Sequence, residues 1–402
     1  MKRYLLSSLV FLLLLPVGAS AQWYLFPGAR HAKDSSGVKT TDNAFIPLRD
    51  ESQKKEAAID FEFEEEEEVE AVEEVLAARV SLILPLKSTG TPNSNFLDFY
   101  SGVLMAANSL SEGEKPIELS VYDSTVGMPS ISELEQSDLI IGPVNFDDVQ
   151  RLLPRARGKL IVSPLDPKVA SLTGTQNVVQ APSGWEAQVD ELVRWIASDK
   201  RGGDTVVLLQ SADESDGEMT KRLALKLSEA GIPYNISSTP SAYEGKVKGT
   251  CRFVISSEKD DFCSSAVREI ALMNLKGTRN AVYSTSRIRS LSDLEVESLH
   301  AASAHIAATY YANPADVKVK RFAQQYKSLF KGEPGQWVYQ GYDLMNYFGT
   351  LLEKNGEFTT ETLAATTWNG LQTDFKFDES GKNNTAVRRL LYNANNTITL
   401  IR

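Results

Sequence analysis

Cysteine occurs twice, histidine three times and glycine 25 times in 402 residues. Two cysteines cannot staple a disulfide scaffold, and so little glycine rules out a collagen-like repeat. Three histidines leave little for metal or acid–base chemistry. His31 stands apart from the patterned part of the chain. His300 and His305 are five residues apart, about 140° around a helix, so they do not share the face that a zinc pair needs. G-x-S-x-G, the P-loop, G-x-G-x-x-G, C-x-x-C and H-E-x-x-H are missing as well. No catalytic residue, metal or cofactor is therefore expected, and carboxylates paired by folding are the one enzyme reading left open. A basic surplus is also lacking: 42 lysines and arginines stand against 53 acids, for a net charge of −11. With no basic stripe to neutralise phosphates, a nucleic-acid binder is excluded.

The charge is unevenly placed. Residues 50–76 hold thirteen acids against Lys54 and Lys55, which accounts for the whole −11 and leaves the rest of the chain balanced. Like charges at the density of Glu64 to Glu68 repel and keep a backbone extended, so residues 22–76 read as an unstructured acidic spacer. The sharper reading is an acidic tail for a basic partner or divalent ions. Ahead of it, Lys2 and Arg3, an apolar run over 5–17 and the small residues Ala19-Ser20-Ala21 form a signal-peptide pattern over residues 1–21, cleaved before Gln22. The run is shorter than the ~20 residues of a membrane span. No cysteine follows the cleavage site to carry a lipid. The expectation is an exported protein that does not span the membrane, periplasmic in a Gram-negative source.

From residue 77 onward short apolar runs alternate with amphipathic stretches, the texture of parallel sheets with helical crossovers. Strands are expected at 80–85, 117–122, 139–143, 160–164, 205–210, 253–256 and 281–284. Between them Phe96, Phe99, Val103, Ala107 and Leu110 make one helical stripe. Ser183 and Glu186 have capping-box spacing before a helix that buries Trp185, Val189, Leu192 and Ile196. A third helix, about 215–230, turns Leu223 and Leu227 inward and ends at Gly231. About 325 residues exceed what one core usually supports, so two lobes are expected, with a first break at 180–184. Cys251 and Cys263 flank a strand and a helix start, open to a disulfide in an oxidising compartment or to two buried thiols.

Several short runs, in order, resemble the type I periplasmic binding proteins, the leucine-binding and receptor-ligand-binding family. They are Val80-Ser81-Leu82-Ile83-Leu84-Pro85-Leu86, Phe99-Tyr100-Ser101-Gly102-Val103-Leu104-Met105-Ala106-Ala107, Ile140-Ile141-Gly142-Pro143-Val144, Leu160-Ile161-Val162-Ser163-Pro164, Phe322-Ala323-Gln324-Gln325-Tyr326 and Gln340-Gly341-Tyr342-Asp343. The resemblance covers about 77–402. It implies an α/β fold of two doubly wound parallel-sheet lobes joined by three crossovers, with 77–183 and 308–354 in lobe one and 184–307 and 355–402 in lobe two. It further implies a ligand between the strand carboxyl ends.

In the family's amino-acid-binding members, loops after strands one, three and four hold the ligand carboxylate. The matching positions are Ser88, Thr89, Asn145 and Ser163, with Tyr283 and Ser284 opposite. The motif is imperfect, because Asn145 stands where serine is common, Leu165-Asp166 replaces a small polar pair, and Val178-Val179-Gln180 replaces an arginine-led strand. Tyr342-Asp343 reads as a structural contact of the hinge helix. The function implied is a non-enzymatic receptor that closes on a small polar ligand, such as an amino acid or peptide, for an inner-membrane importer or a sensor. The alternative is a docking scaffold of the same fold that binds an envelope protein and regulates peptidoglycan synthesis.

Overall fold

The computed structural model describes residues 77–113, 116–213, 217–355 and 359–401. The signal peptide and acidic spacer expected over 1–76 lie outside the described residues.

The first half of the chain builds a five-stranded sheet from β1 (Ala78–Leu84), α1 (Ser94–Leu110), β2 (Ile117–Asp123), α2 (Ile131–Gln136), β3 (Leu139–Ile141), α3 (Phe146–Leu152), β4 (Ile161–Ser163) and β5 (Val178–Gln180). Its order is β2-β1-β3-β4-β5 and every pairing is parallel. The period of two sorts its side chains. Val80, Leu82 and Leu84 turn to one face and meet Phe99, Val103 and Leu110 of α1, while Ile83 turns to the other and meets Leu134 and Leu152.

A second sheet follows from α4 (Trp185–Asp199), β6 (Thr205–Leu209), α5 (Glu218–Glu229), β7 (Tyr234–Ser237), β8 (Cys251–Ile255), α6 (Asp260–Leu275), β9 (Asn280–Thr285), α7 (Val296–Ala301) and β10 (Ala304–Ala308). Strands β7-β6-β8-β9-β10 repeat the order of the first sheet, again parallel. Both faces are covered: Val206, Leu208 and Val254 pack under α4 and α5, and Val207, Phe253 and Val282 under α6 and α7. This is why the strands read as continuous apolar runs.

The chain then returns to the first half through α8 (Val317–Phe330) and α9 (Gln336–Asn355), the latter lying along α1. Two glycines permit that contact. A β-carbon on Gly102 would stand 2.0 Å from Val338 O, and one on Gly341 2.1 Å from Phe99 O. The expected return to the second half near 354 does not occur there. After α10 (Thr360–Ala365) come the hairpin strands β11 (Thr367–Asn369) and β12 (Asp374–Lys376), and Leu363, Phe375 and Phe377 are buried in the first core against Tyr347 and Phe348. The chain passes over only between β12 and β13 (Arg388–Tyr392), which with β14 (Ile398–Ile401) adds two antiparallel strands to the second sheet.

Two local expectations also change. Gly184 is the N-cap of α4 and no side chain caps it, so the Ser183–Glu186 box does not form, and Trp185 is 36% exposed. Cys251 and Cys263 are buried thiols, not a disulfide.

Gly341→Ala should destabilise the fold by about 1–3 kcal/mol or more, because the new methyl meets backbone that cannot yield. Urea unfolding checks this, and a change under 0.5 kcal/mol would mean that the helices are not in contact here.

Candidate functional site

Two sheets of order 2-1-3-4-5 have their switch points between β1 and β3 and between β6 and β8, and ligands of such folds bind outside the strand carboxyl ends there. Five buried side-chain polar atoms have no hydrogen-bond partner among the described residues: Ser124 Oγ, Ser163 Oγ, Gln180 Oε1, Ser183 Oγ and Gln210 Oε1. All five residues end a strand or follow one closely, after β2, β4, β5 and β6. A buried polar group without a partner costs on the order of 1–3 kcal/mol, and all five of these lie at strand carboxyl ends.

Four of the expected residues share the carboxyl end of the first sheet, in different states. Ser88 donates both its N–H (2.6 Å) and its hydroxyl (2.7 Å) to Asp123 Oδ2. Leu86 N–H and Thr125 complete the set around that carboxylate. Burial alone would raise the Asp123 carboxyl, but the Ser88 and Thr125 bonds outweigh it and hold the group below the usual value. The Ser88 donors expected to take a ligand carboxylate are thus engaged within the first half. Thr89 is exposed beside them, and Asn145 is exposed with its amide 3.4 Å from Asp148 Oδ2. At the start of α3 the Phe146 N–H donates to Asp166 Oδ2 (2.9 Å). Only Ser163 combines complete burial with an unpartnered hydroxyl.

Tyr283 and Ser284 part company, as neighbours on a strand must. Ser284 is buried beside Ile255, Met219 and Thr285 at the carboxyl end. Tyr283 turns to the opposite face, under α4. Its hydroxyl accepts from Arg252 (2.5 Å) and donates to Asp199 (3.0 Å), and its ring stacks on His305 at 4.4 Å. It is a core residue, not a cleft wall. Burial pushes the Tyr283 hydroxyl up and the His305 ring down to about 4, so the imidazole is neutral.

The cavity itself uses residues that sequence reasoning left out. A space of about 210 Å³ is lined by Leu165 and Pro182, by Thr309 and Tyr310 just after β10, by Gln336, Trp337 and Gln340 at the start of α9, and by Gln372 and Thr373 between β11 and β12. Another, of about 400 Å³, opens at the other sheet's strand ends among Trp185, Gln188, Glu258, Ser286 and Arg287, and a larger one, of about 870 Å³, is lined by Gln180, Asp190, Arg194, Arg222 and Lys376 among others.

The cavity wall is fixed by a carboxylate. Asp343 of α9, fully buried, accepts the N–H groups of Leu371, Gln372 and Thr373 at 2.7, 2.7 and 2.8 Å. Burial raises its carboxyl to about 6 in spite of those bonds. Arg388, where β13 begins, grips the other side of the same turn. It donates to the carbonyls of Gly370 (2.8 Å), Leu371 (3.1 Å) and Tyr311 (2.6 Å) and pairs with Asp374 at 2.5 Å. The Tyr342-Asp343 expectation is met on the aspartate, whose contacts are structural.

Residues 78–390 match the family model described as periplasmic binding protein. The chain belongs to that family. Three solved structures share its fold, each over 81% of this chain. A protein from Rhodospirillum rubrum described as a branched-chain amino acid ABC transporter aligns over 100% of its own chain at 14% identity and a TM-score of 0.59. An ABC transporter substrate-binding protein from Desulfitobacterium hafniense aligns over 100% at 11% and 0.52. Full-length LpoA from Haemophilus influenzae aligns over 59% at 14% and 0.50. Comparison with curated protein sequences returns no match. Among the described residues no helix is long and apolar enough to cross a membrane.

Tyr283→Phe should cost about 1–3 kcal/mol by leaving buried Arg252 and half-buried Asp199 short of a partner, with ligand affinity unchanged. Urea melts and titration of the two proteins check both parts, and a selective loss of affinity would return Tyr283 to the cleft. For Asp343 the sign is set by a folded value above the ordinary 3.8. The native state then holds its proton more tightly, so this stability is present below about pH 4 and is lost as pH rises through 6, by roughly 3 kcal/mol at most. The stability gap between the wild type and Asp343→Asn should therefore narrow between pH 4.5 and 7. A constant gap would overturn the assignment.

Proposed function

We propose that this protein is an exported solute-binding receptor, without catalytic activity of its own, that closes its two halves around a small polar ligand and presents it to an importer or a sensor. The observation that carries the reading is the gathering of all five unpartnered buried polar side chains at strand carboxyl ends. Desolvated groups without partners persist in a fold where something other than stability retains them. Family membership supports the same reading, as does a cavity built where the second crossover leaves β10 and α9 begins. No cluster of three or more metal-ligating side chains is present among the described residues. The signal-peptide pattern of residues 1–21 is the reason to propose an exported, periplasmic protein.

A thermal-shift screen of the chain from Gln22 against amino acids, short peptides, sugars, nucleobases and cell-wall fragments tests this. A ligand that binds only the folded state adds RT ln(1 + [L]/Kd), about 2.7 kcal/mol at a hundredfold excess over Kd. Ser163→Ala should leave the unliganded protein as stable or slightly more so, because it removes an unpartnered hydroxyl, and a lowered ligand-induced shift in this variant would seat the ligand at the end of β4. Silence across every class would sink the receptor and leave the protein-docking scaffold.

A further inference from the structure

No carboxylate, ammonium, guanidinium or imidazole group lines the 210 Å³ cavity. From this we infer that its ligand is uncharged, a small ring with apolar faces and a hydrogen-bonding rim, of the kind that a pyranose sugar presents, and not an amino-acid zwitterion. The inference rests on the receptor reading above and names the ligand class of that site.

An ammonium group taken out of water needs a carboxylate, and a carboxylate needs a cation or a nest of N–H donors; without them each costs several kcal/mol. The first half offers neither here. Asp123 is closed by Ser88, Leu86 and Thr125, and Asp166 by the N–H groups of Phe146 and Lys168. Asp343 is closed by the 371–373 turn. The N–H and hydroxyl of Ser88 and the first N–H of α3 are consumed in the same bonds, which removes three of the donors that these loops would offer an anion.

What the cavity does offer is neutral. Gln340 Oε1 accepts from Thr373 Oγ (2.9 Å) and from Gln372 Nε2 (3.3 Å), and Gln372 Nε2 also donates to the Gln336 carbonyl (3.0 Å). These bonds lock both amides in place. They leave Gln340 Nε2 with its two donors and Gln372 Oε1 with its lone pairs for the cavity, a fixed donor–acceptor pair that suits vicinal hydroxyls, each of which both gives and accepts. Trp337 and Tyr310, with Leu165 and Pro182, supply flat apolar surface for ring faces. Tyr310 itself is steadied by Arg289, whose guanidinium lies 5.6 Å over its ring and donates to its carbonyl at 3.0 Å. The volume equals about seven liquid waters, room for one ring.

The test is calorimetric titration of the chain from Gln22 with D-glucose, N-acetyl-D-glucosamine and uracil on one side and L-leucine, L-glutamate and L-lysine on the other, at 20 and 500 mM salt. The expected result is binding of a sugar, with an affinity that changes less than twofold with salt and falls at least tenfold in Trp337→Ala and in Gln340→Glu. Both variants are checked for an intact melt by circular dichroism. If Trp337→Ala fails to fold, Trp337→Phe replaces it, with an expected loss of at least threefold. Binding of uracil alone would keep the neutral ring and overturn the sugar. Binding of an amino acid with the neutral solutes silent would overturn the whole inference and leave the receptor standing. Silence from all six solutes, together with silence in the wider screen, would overturn both.

Discussion

The turn between β11 and β12 is held from two sides, by an anion at its N–H groups and by a cation at its carbonyls. Asp343 brings the anion from α9, which belongs to the first core, and Arg388 brings the cation from β13, which belongs to the second sheet. The second crossover is tied into the same knot, since Tyr311 N–H donates to Gln372 O (2.8 Å) and Tyr311 O accepts from Arg388. A peptide turn has donors on one side and acceptors on the other, so opposite charges placed across it are both satisfied and do not need to touch. Each ion is buried, a cost of several kcal/mol that good hydrogen bonds must offset. The cavity wall formed by Gln372 and Thr373 inherits this rigidity.

Burial therefore produces two titrating groups with opposite effects. Asp343 has its value raised to about 6 and favours the native state on the acid side. His305, lowered to about 4 beneath α4, must charge on unfolding, so its stability is present above pH 6.5 and is lost as pH falls through 4. Over the interval that they share, the two slopes oppose each other.

Much of the fold is legible because both sheets are sandwiched between helices, and doubly buried strands announce themselves as apolar runs. The stripe from Phe96 to Leu110 is read with its packing, although the sequence says nothing of why Gly102 lies within it until α9 arrives against its backbone. Residues 359–384 are misread for a physical reason: a short hairpin with Phe375 and Phe377 on alternate positions fits any apolar surface, and only tertiary contact decides that Tyr347 and Phe348 supply it. The pair Tyr283 and Ser284 could have been separated in advance, since consecutive strand residues cannot line the same wall. The capping-box spacing of Ser183 and Glu186 is equally compatible with a glycine cap one residue later, which is what forms.

The candidate site was half legible for a different reason. Loops after β1, β3 and β4 can be placed from motifs, but a motif does not say whether its hydroxyls face a ligand or an aspartate of the same lobe. Asp123, at the end of an edge strand, settles that for Ser88 by taking both of its donors. The residues that line the cavity come instead from five separate places, 165, 182, 309–310, 336–340 and 372–373, which no sequence window unites. Pro182, Thr309 and Tyr310 lie at the first two crossovers, and the other lining residues come from the first half beside them. A pocket near the segments that join the halves must change shape when the halves move, so a ligand held there would be gripped by the same region that lets them close.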